Sequence, residues 1–202
     1  MRIVPTSLTI ALAILATSPT ARAEPDPGSN VVFSGSLGVA RFVQGNQAPP
    51  LCCGERENWS ALGARIAIGA GYRALPWLEP GVEVSAGYLR GSDGSAGRTL
   101  EVSLRSIGIA PRVQFRFGDR LFWGPRLAWH FDRMSGDFVE STSAGAGIER
   151  PASRLFTGPG LGMIVGYWLA PSLGIGGDVN GAFFGPDFST ALSLGASVSW
   201  AP

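Results

Sequence analysis

The sequence predicts an all-β protein, an eight-stranded antiparallel transmembrane up-and-down β-barrel with a filled polar lumen. Three observations point there. Apolar and polar residues alternate with period two in eight successive segments, as they do in strands with two different environments on their faces. The connections alternate between tight turns and longer stretches, the asymmetry of a barrel that threads a bilayer. Aromatic residues on the apolar side gather toward both ends of the segments, where a bilayer has its interfaces.

The strands are expected near 31–42, 61–74, 78–90, 99–117, 120–133, 155–168, 172–184 and 190–200. The first is the weakest, with Phe33, Leu37 and Val39 set against Ser34, Ser36, Gly38 and Ala40. The second sets Ala64, Ile66, Ile68, Ala70 and Tyr72 against Arg65, Ala67, Gly69, Gly71 and Arg73. In the third, Val82, Val84, Ala86 and Tyr88 oppose Glu79, Gly81, Glu83, Ser85 and Gly87. The fourth ends with Ile107 to Phe117 alternating against Gly108, Ala110, Arg112, Gln114 and Arg116. Its earlier Val102 and Leu104 fall out of phase, so a bulge is expected near Arg105-Ser106.

The fifth segment, RLFWGPRLAWHFDR, shows the pattern best. Leu121, Trp123, Pro125, Leu127, Trp129 and Phe131 alternate with Arg120, Gly124, Arg126, Ala128, His130 and Asp132, and Phe122 is the exception. The sixth carries a nearly pure glycine face, Gly158, Gly160, Gly162 and Gly166. Ile175, Val179 and Phe183 oppose Gly174, Gly176, Asp178 and Asn180 in the seventh, and Leu192 to Trp200 oppose a Gly/Ser face in the eighth. Pro111, Pro125 and Pro159 stand on the apolar side, where each removes a ladder donor.

Tight turns are expected at Leu75-Pro76-Trp77, Gly118-Asp119 and Leu169-Ala170-Pro171. Longer connections are expected at 43–60, 91–98 and 134–154, with a brief one at 185–189. Tyr72, Trp123, Tyr167 and Trp200 then fall near the tight-turn end and Trp129 near the other, forming an aromatic girdle at each interface. From Trp123 to Phe131 the strand rises about 21 Å along the membrane normal, using ~3.4 Å per residue and a tilt of about 40°.

Residues 1–23 read as a secretory signal: Arg2, the apolar run Leu8–Ala16, Pro19, then Ala21-Arg22-Ala23 as a cleavage site before Glu24. Residues 24–202 are one domain's worth of chain. Only 15% of the residues are charged, and the net charge of +1 gives no reason to expect nucleic acid. No stretch after the signal is long and apolar enough for a transmembrane helix.

A soluble, lipocalin-like carrier of small ligands with the apolar face inward is the competing reading. Its outer surface would then include the glycine face of the sixth strand, which has no charge to protect it. The membrane reading puts that face inside. An eight-stranded barrel is just wide enough for its own side chains. Arg65, Arg73, Glu79, Glu83, Arg112, Gln114, Arg116, Arg126, His130, Asp132, Asp178 and Asn180 are expected to pair there into a plug.

On the signal segment, strand number, turn asymmetry and aromatic girdles, residues 31–200 resemble the small outer-membrane barrels of the OmpA-like membrane-domain and OmpX type. The terminal aromatic residue usual in such barrels is displaced, since Ala201-Pro202 follows Trp200. The resemblance implies a bacterial outer-membrane location and a structural, adhesive or surface-protective role without catalysis. It implies outer-membrane lipid as the surrounding partner and a surface partner met through 43–60 and 134–154.

His130 with Asp132 is the one acid/base pair of interest. An outer-membrane lipid A deacylase uses His, Ser and Glu with a His-x-Ser pattern that this stretch resembles, but Asp132 stands where the serine would be. Ser135, expected in a loop, and Glu140 are the remaining candidates for such a hydrolase. A lumenal salt bridge is the favoured reading of the pair. No metal site or cofactor is expected, because one His and an adjacent Cys pair do not give ligand spacing. Cys52-Cys53 in the first long connection is read as a vicinal disulfide, with intermolecular pairing and free thiols as alternatives.

Overall fold

The computed structural model describes residues 30–44, 59–95, 98–142, 145–185 and 189–202. The signal segment, Cys52-Cys53 and most of the 43–60 connection lie outside the described residues.

Eight strands follow one another: β1 (Val31–Val43), β2 (Ser60–Tyr72), β3 (Leu78–Ser95), β4 (Arg98–Phe115), β5 (Leu121–Thr142), β6 (Gly145–Ala170), β7 (Leu173–Phe184) and β8 (Ser189–Trp200). Each pairs antiparallel with the next, and β1 also pairs with β8, from Phe33↔Trp200 to Val43↔Thr190. The sheet is therefore a closed barrel with no free edge. The start of β1, the end of β8 and the tight β2–β3, β4–β5 and β6–β7 turns share one end, the turn end. Gly118 supplies the left-handed backbone of the β4–β5 turn, with φ of 89°.

Period two assigns every strand residue to one face. The outer face is apolar: Leu37 is 64% exposed, Ile107 67% and Leu194 61%, with Ile66, Leu127, Leu161 and Val198 beside them in the same belt. That arrangement contradicts the lipocalin-like reading, in which these side chains would fill the interior. The inner face is polar through the middle of the barrel and toward the turn end, where Glu79, Glu83, Arg112, Gln114, Arg116, Arg126, Asp178 and Asn180 are buried.

Three expectations need correction. No bulge occurs at Arg105-Ser106: the β3–β4 and β4–β5 registers run through both residues unshifted. Val102 and Leu104 keep their phase and point inward, 3% and 1% exposed, because the lumen itself becomes apolar at that level. The stretches 91–98 and 134–154 are mostly strand, with β3 reaching Ser95 opposite Arg98 and β5–β6 paired out to Thr142↔Gly145. Their polar composition resembles a loop because the outer face loses its hydrophobic residues there, while Met134, Phe138 and Phe156 continue the inward alternation.

The third correction concerns what fills the lumen. Away from the turn end it holds a hydrophobic core of Phe42, Trp59, Leu89, Leu100, Leu104, Phe138, Phe156 and Phe184, not a polar network. Phe42 packs edge-on against Phe156 at 5.2 Å, and Trp59 against Phe138 at 5.5 Å. Such pairs add about 0.5–1.5 kcal/mol each beyond area burial.

The prolines sit in the ladders without shifting them. Pro125 pairs with Met163 and Pro159 with Trp129. The β4–β5 ladder lapses at Ala110-Pro111 and resumes in the same register at Arg112↔Ala128, so the missing donor costs a local pairing and nothing more.

The outer belt yields a direct test. Ile66→Arg, mid-strand on the outer face, is expected to cost about 2–4 kcal/mol of folding free energy in phospholipid vesicles. Urea titration of folding into vesicles measures it. A variant as stable as the parent would mean that the belt does not meet hydrocarbon.

Candidate functional site

The middle of the lumen is organised around one carboxylate. Glu83, on β3, receives Arg65 from β2 at 2.9 Å, Arg126 from β5 at 3.0 Å and Arg112 from β4 at 3.3 Å. Period two puts all four on the inner face, and the barrel's curvature brings them together. Arg65 donates a second bond to Ser193 Oγ at 3.2 Å, and Arg112 one to Ser34 Oγ at 2.9 Å. Arg126 Nε donates to Gln114 Oε1 at 2.9 Å, and its Nη1 also reaches Asn180 Oδ1 at 3.3 Å. Asn180 in turn donates to Asp178 Oδ2 at 2.5 Å.

A second centre lies nearer the turn end. Arg116 donates to Glu79 Oε2 at 3.2 Å, and Arg112 Nη2 stands 3.9 Å from Glu79 Oε1, joining the two centres. The Arg116 guanidinium also lies over the rings of Phe122, at 4.5 Å, and Trp168, at 5.2 Å. Among the described residues its Nε and Nη1 have no hydrogen-bond partner, and the two π faces take that place. Arg73 is set apart, over Trp168 at 5.9 Å.

Phe122 and Trp168 are the lumenal residues that sequence reasoning passed over. The break in alternation at Phe122 was the available signal, since it sets an aromatic ring on the face that carries Arg126 and Asp132. The apolar core away from the turn end left a fainter trace, in the supposed phase error of Val102 and Leu104.

His130 and Asp132 form a separate pair, with Nδ1 and Oδ2 at 3.6 Å. Asp132 fits because Gly108 lies opposite it: a β-carbon there would stand 1.6 Å from the carboxylate. Ser135 is in β5 rather than a loop, and period two turns it outward with Phe131 and Arg133, away from His130. The lumen thus supplies no hydroxyl from that position. Among the described residues no group of three His, Cys, Asp or Glu is placed to hold a metal. Tyr72, Trp123, Trp129, Tyr167 and Trp200 all face outward and are between 37% and 53% exposed.

A closed eight-stranded barrel with a buried ionic lumen and an apolar exterior is the fold of small outer-membrane barrels. Neisserial surface protein A has a solved structure that matches 86% of this chain and 98% of its own, with a TM-score of 0.55 and 18% identity. The outer membrane protein OprG of Pseudomonas aeruginosa matches over 86% and 98%, with a TM-score of 0.50 and 10% identity. The outer membrane protease OmpT of Escherichia coli also matches, at a TM-score of 0.48 and 10% identity, too loosely to carry a functional argument. No family model and no curated protein matches the chain.

Within this fold, the Glu83 centre is the most sensitive point. Glu83→Ala leaves three guanidinium groups facing one another without their shared anion. A loss of about 3–5 kcal/mol is expected, as for removal of one partner from a buried ion pair. Arg65→Ala, at the more accessible edge of the cluster, should cost clearly less. Urea unfolding followed by tryptophan fluorescence distinguishes them, and equal small losses would show that Glu83 is not the organising charge.

Proposed function

We propose that the protein spans a bacterial outer membrane as a plugged, non-enzymatic barrel with a structural, adhesive or surface-protective role. The observation that carries this reading is the division of the two faces. A continuous apolar belt outside suits hydrocarbon, while the interior is filled by an ion-paired layer and an aromatic layer in series. Every backbone ladder closes on itself, as a strand-built span of a bilayer requires.

The double filling argues for a barrel that does not conduct. An ion entering from the turn end meets Arg116 between two rings, and then the Glu83 centre. From the other end it meets the Phe42–Phe156–Phe184 cluster. The hydrolase reading has no comparable support: His130 and Asp132 are together, but Ser135 faces the other way. Recognition of an external partner falls to the β3–β4 and β5–β6 hairpins and the 43–60 connection. Paired strands make the two hairpins stiffer platforms than free loops, favouring a preformed binding surface.

Purified protein in planar bilayers is expected to give no steady current. Phe42→Ala combined with Phe156→Ala should still give none, because the ionic layer remains. Steady conductance from the parent protein would overturn the plugged lumen. The lipid A profile of cells, read by mass spectrometry, is expected to be the same with and without the protein, and a deacylated species dependent on His130 would restore the enzyme reading. Outer-membrane fractionation with a boiled-versus-unboiled gel shift tests the location itself.

A further inference from the structure

Not all arginines of this barrel point inward. Arg90 on β3, Arg105 on β4 and Arg133 on β5 are exposed on the outer face, on three adjacent strands. The registers align them. Arg90 lies opposite Ser103 and Arg105 opposite Tyr88, while Arg105 lies opposite Ser135 and Arg133 opposite Ile107. The three therefore follow one diagonal across the sheet. Each stands two residues beyond an outward apolar residue, namely Tyr88, Ile107 and Phe131, at the edge of the belt away from the turn end. Strand tilt turns such a diagonal toward the horizontal in a barrel, so the row lies along the boundary of the apolar belt.

Two of the three are held in place by hydrogen bonds to neighbouring side chains, and among the described residues the row has no counter-charge. Arg90 Nε donates to the Tyr88 hydroxyl at 2.9 Å and its guanidinium lies 5.1 Å from the centre of that ring. Tyr88 is also hydrogen-bonded to Ser103 Oγ at 2.9 Å, and Arg133 Nε donates to Ser153 Oγ at 3.2 Å. Among the described residues none of the three has a carboxylate within ion-pair distance; Glu101 and Asp137 lie farther out on the same strands. The interior differs sharply, since there Arg65, Arg112, Arg116 and Arg126 share Glu79 and Glu83.

Resting on the membrane reading above, we infer that Arg90, Arg105 and Arg133 form a docking surface for phosphate-bearing headgroups of the lipid leaflet around the end away from the turns. Guanidinium groups suit this partner. They pair with phosphate through two parallel bonds, and they are less strongly hydrated than ammonium groups. The neighbouring Tyr88, Ile107 and Phe131 would lie against the acyl chains of the same lipid, so that one molecule satisfies both surfaces.

The test uses the folded protein in detergent and native mass spectrometry, with bis-phosphorylated lipid A and its dephosphorylated form as probes. The parent protein is expected to retain the phosphorylated lipid preferentially. The triple variant R90Q/R105Q/R133Q should bind it more weakly by a factor on the order of a hundred, with Arg120→Gln at the turn end behaving like the parent. Equal retention by parent and triple variant would overturn the inference. So would full displacement by inorganic phosphate, which would mark a site for a free anion rather than a lipid. A parent protein with no heat-dependent gel shift in any bilayer would overturn the membrane reading itself, a failure visible before any lipid is added.

Discussion

Eleven residue pairs, from Phe33↔Trp200 to Val43↔Thr190, join the first strand to the last. Most other features depend on that seam. An open eight-stranded sheet would expose two rows of unpaired N–H and C=O groups, which hydrocarbon cannot satisfy. Closing it removes both edges and fixes, residue by residue, which side chains are inside. After closure the alternation along each strand is no longer a preference but an address. The unshifted registers through Arg105-Ser106 and past Pro111 show how firmly it is held.

Inside, space and charge constrain each other. A barrel of this size has no room for bulk water around the guanidinium groups of Arg65, Arg73, Arg112, Arg116 and Arg126, so each must find an anion, a hydroxyl or a ring. Glu83 shared by three arginines, and Arg116 between Phe122 and Trp168, are two solutions to one problem. A buried ion cluster is weak evidence for net stability, because desolvation opposes Coulomb attraction. Its clearer consequence is specificity, since a strand slipped by one residue would carry these charges to the apolar side.

Above the ionic layer the physical demand changes. Beyond the apolar belt the outer face carries arginines and serines, as the proposed membrane placement requires at the level of water and headgroups, and the interior becomes an ordinary hydrophobic core. Phe42, Phe138, Phe156 and Phe184 close the lumen by packing where the lower half closes it by charge. The same inversion places Arg90, Arg105 and Arg133 outside, where among the described residues they have no carboxylate like those that meet Arg65, Arg112, Arg116 and Arg126 inside.

The sequence alone determined the strand number and the tight turns, and it put Glu83 and the arginines around it on one face, because period two depends only on neighbours along the chain. It also determined which face is apolar. Three things only the tertiary structure decided. Which arginines meet Glu83, and that Arg73 does not join them, depends on strand tilt and curvature, which bring residues from four strands to one point. The length of the β5–β6 hairpin was hidden because polar residues outside the belt look like loop until their partners across the ladder are known. The meaning of Val102 and Leu104 was reversed, from a slipped phase to an apolar lumen, because a hydrophobic residue has two places to go in a barrel and the local pattern cannot distinguish lipid from core.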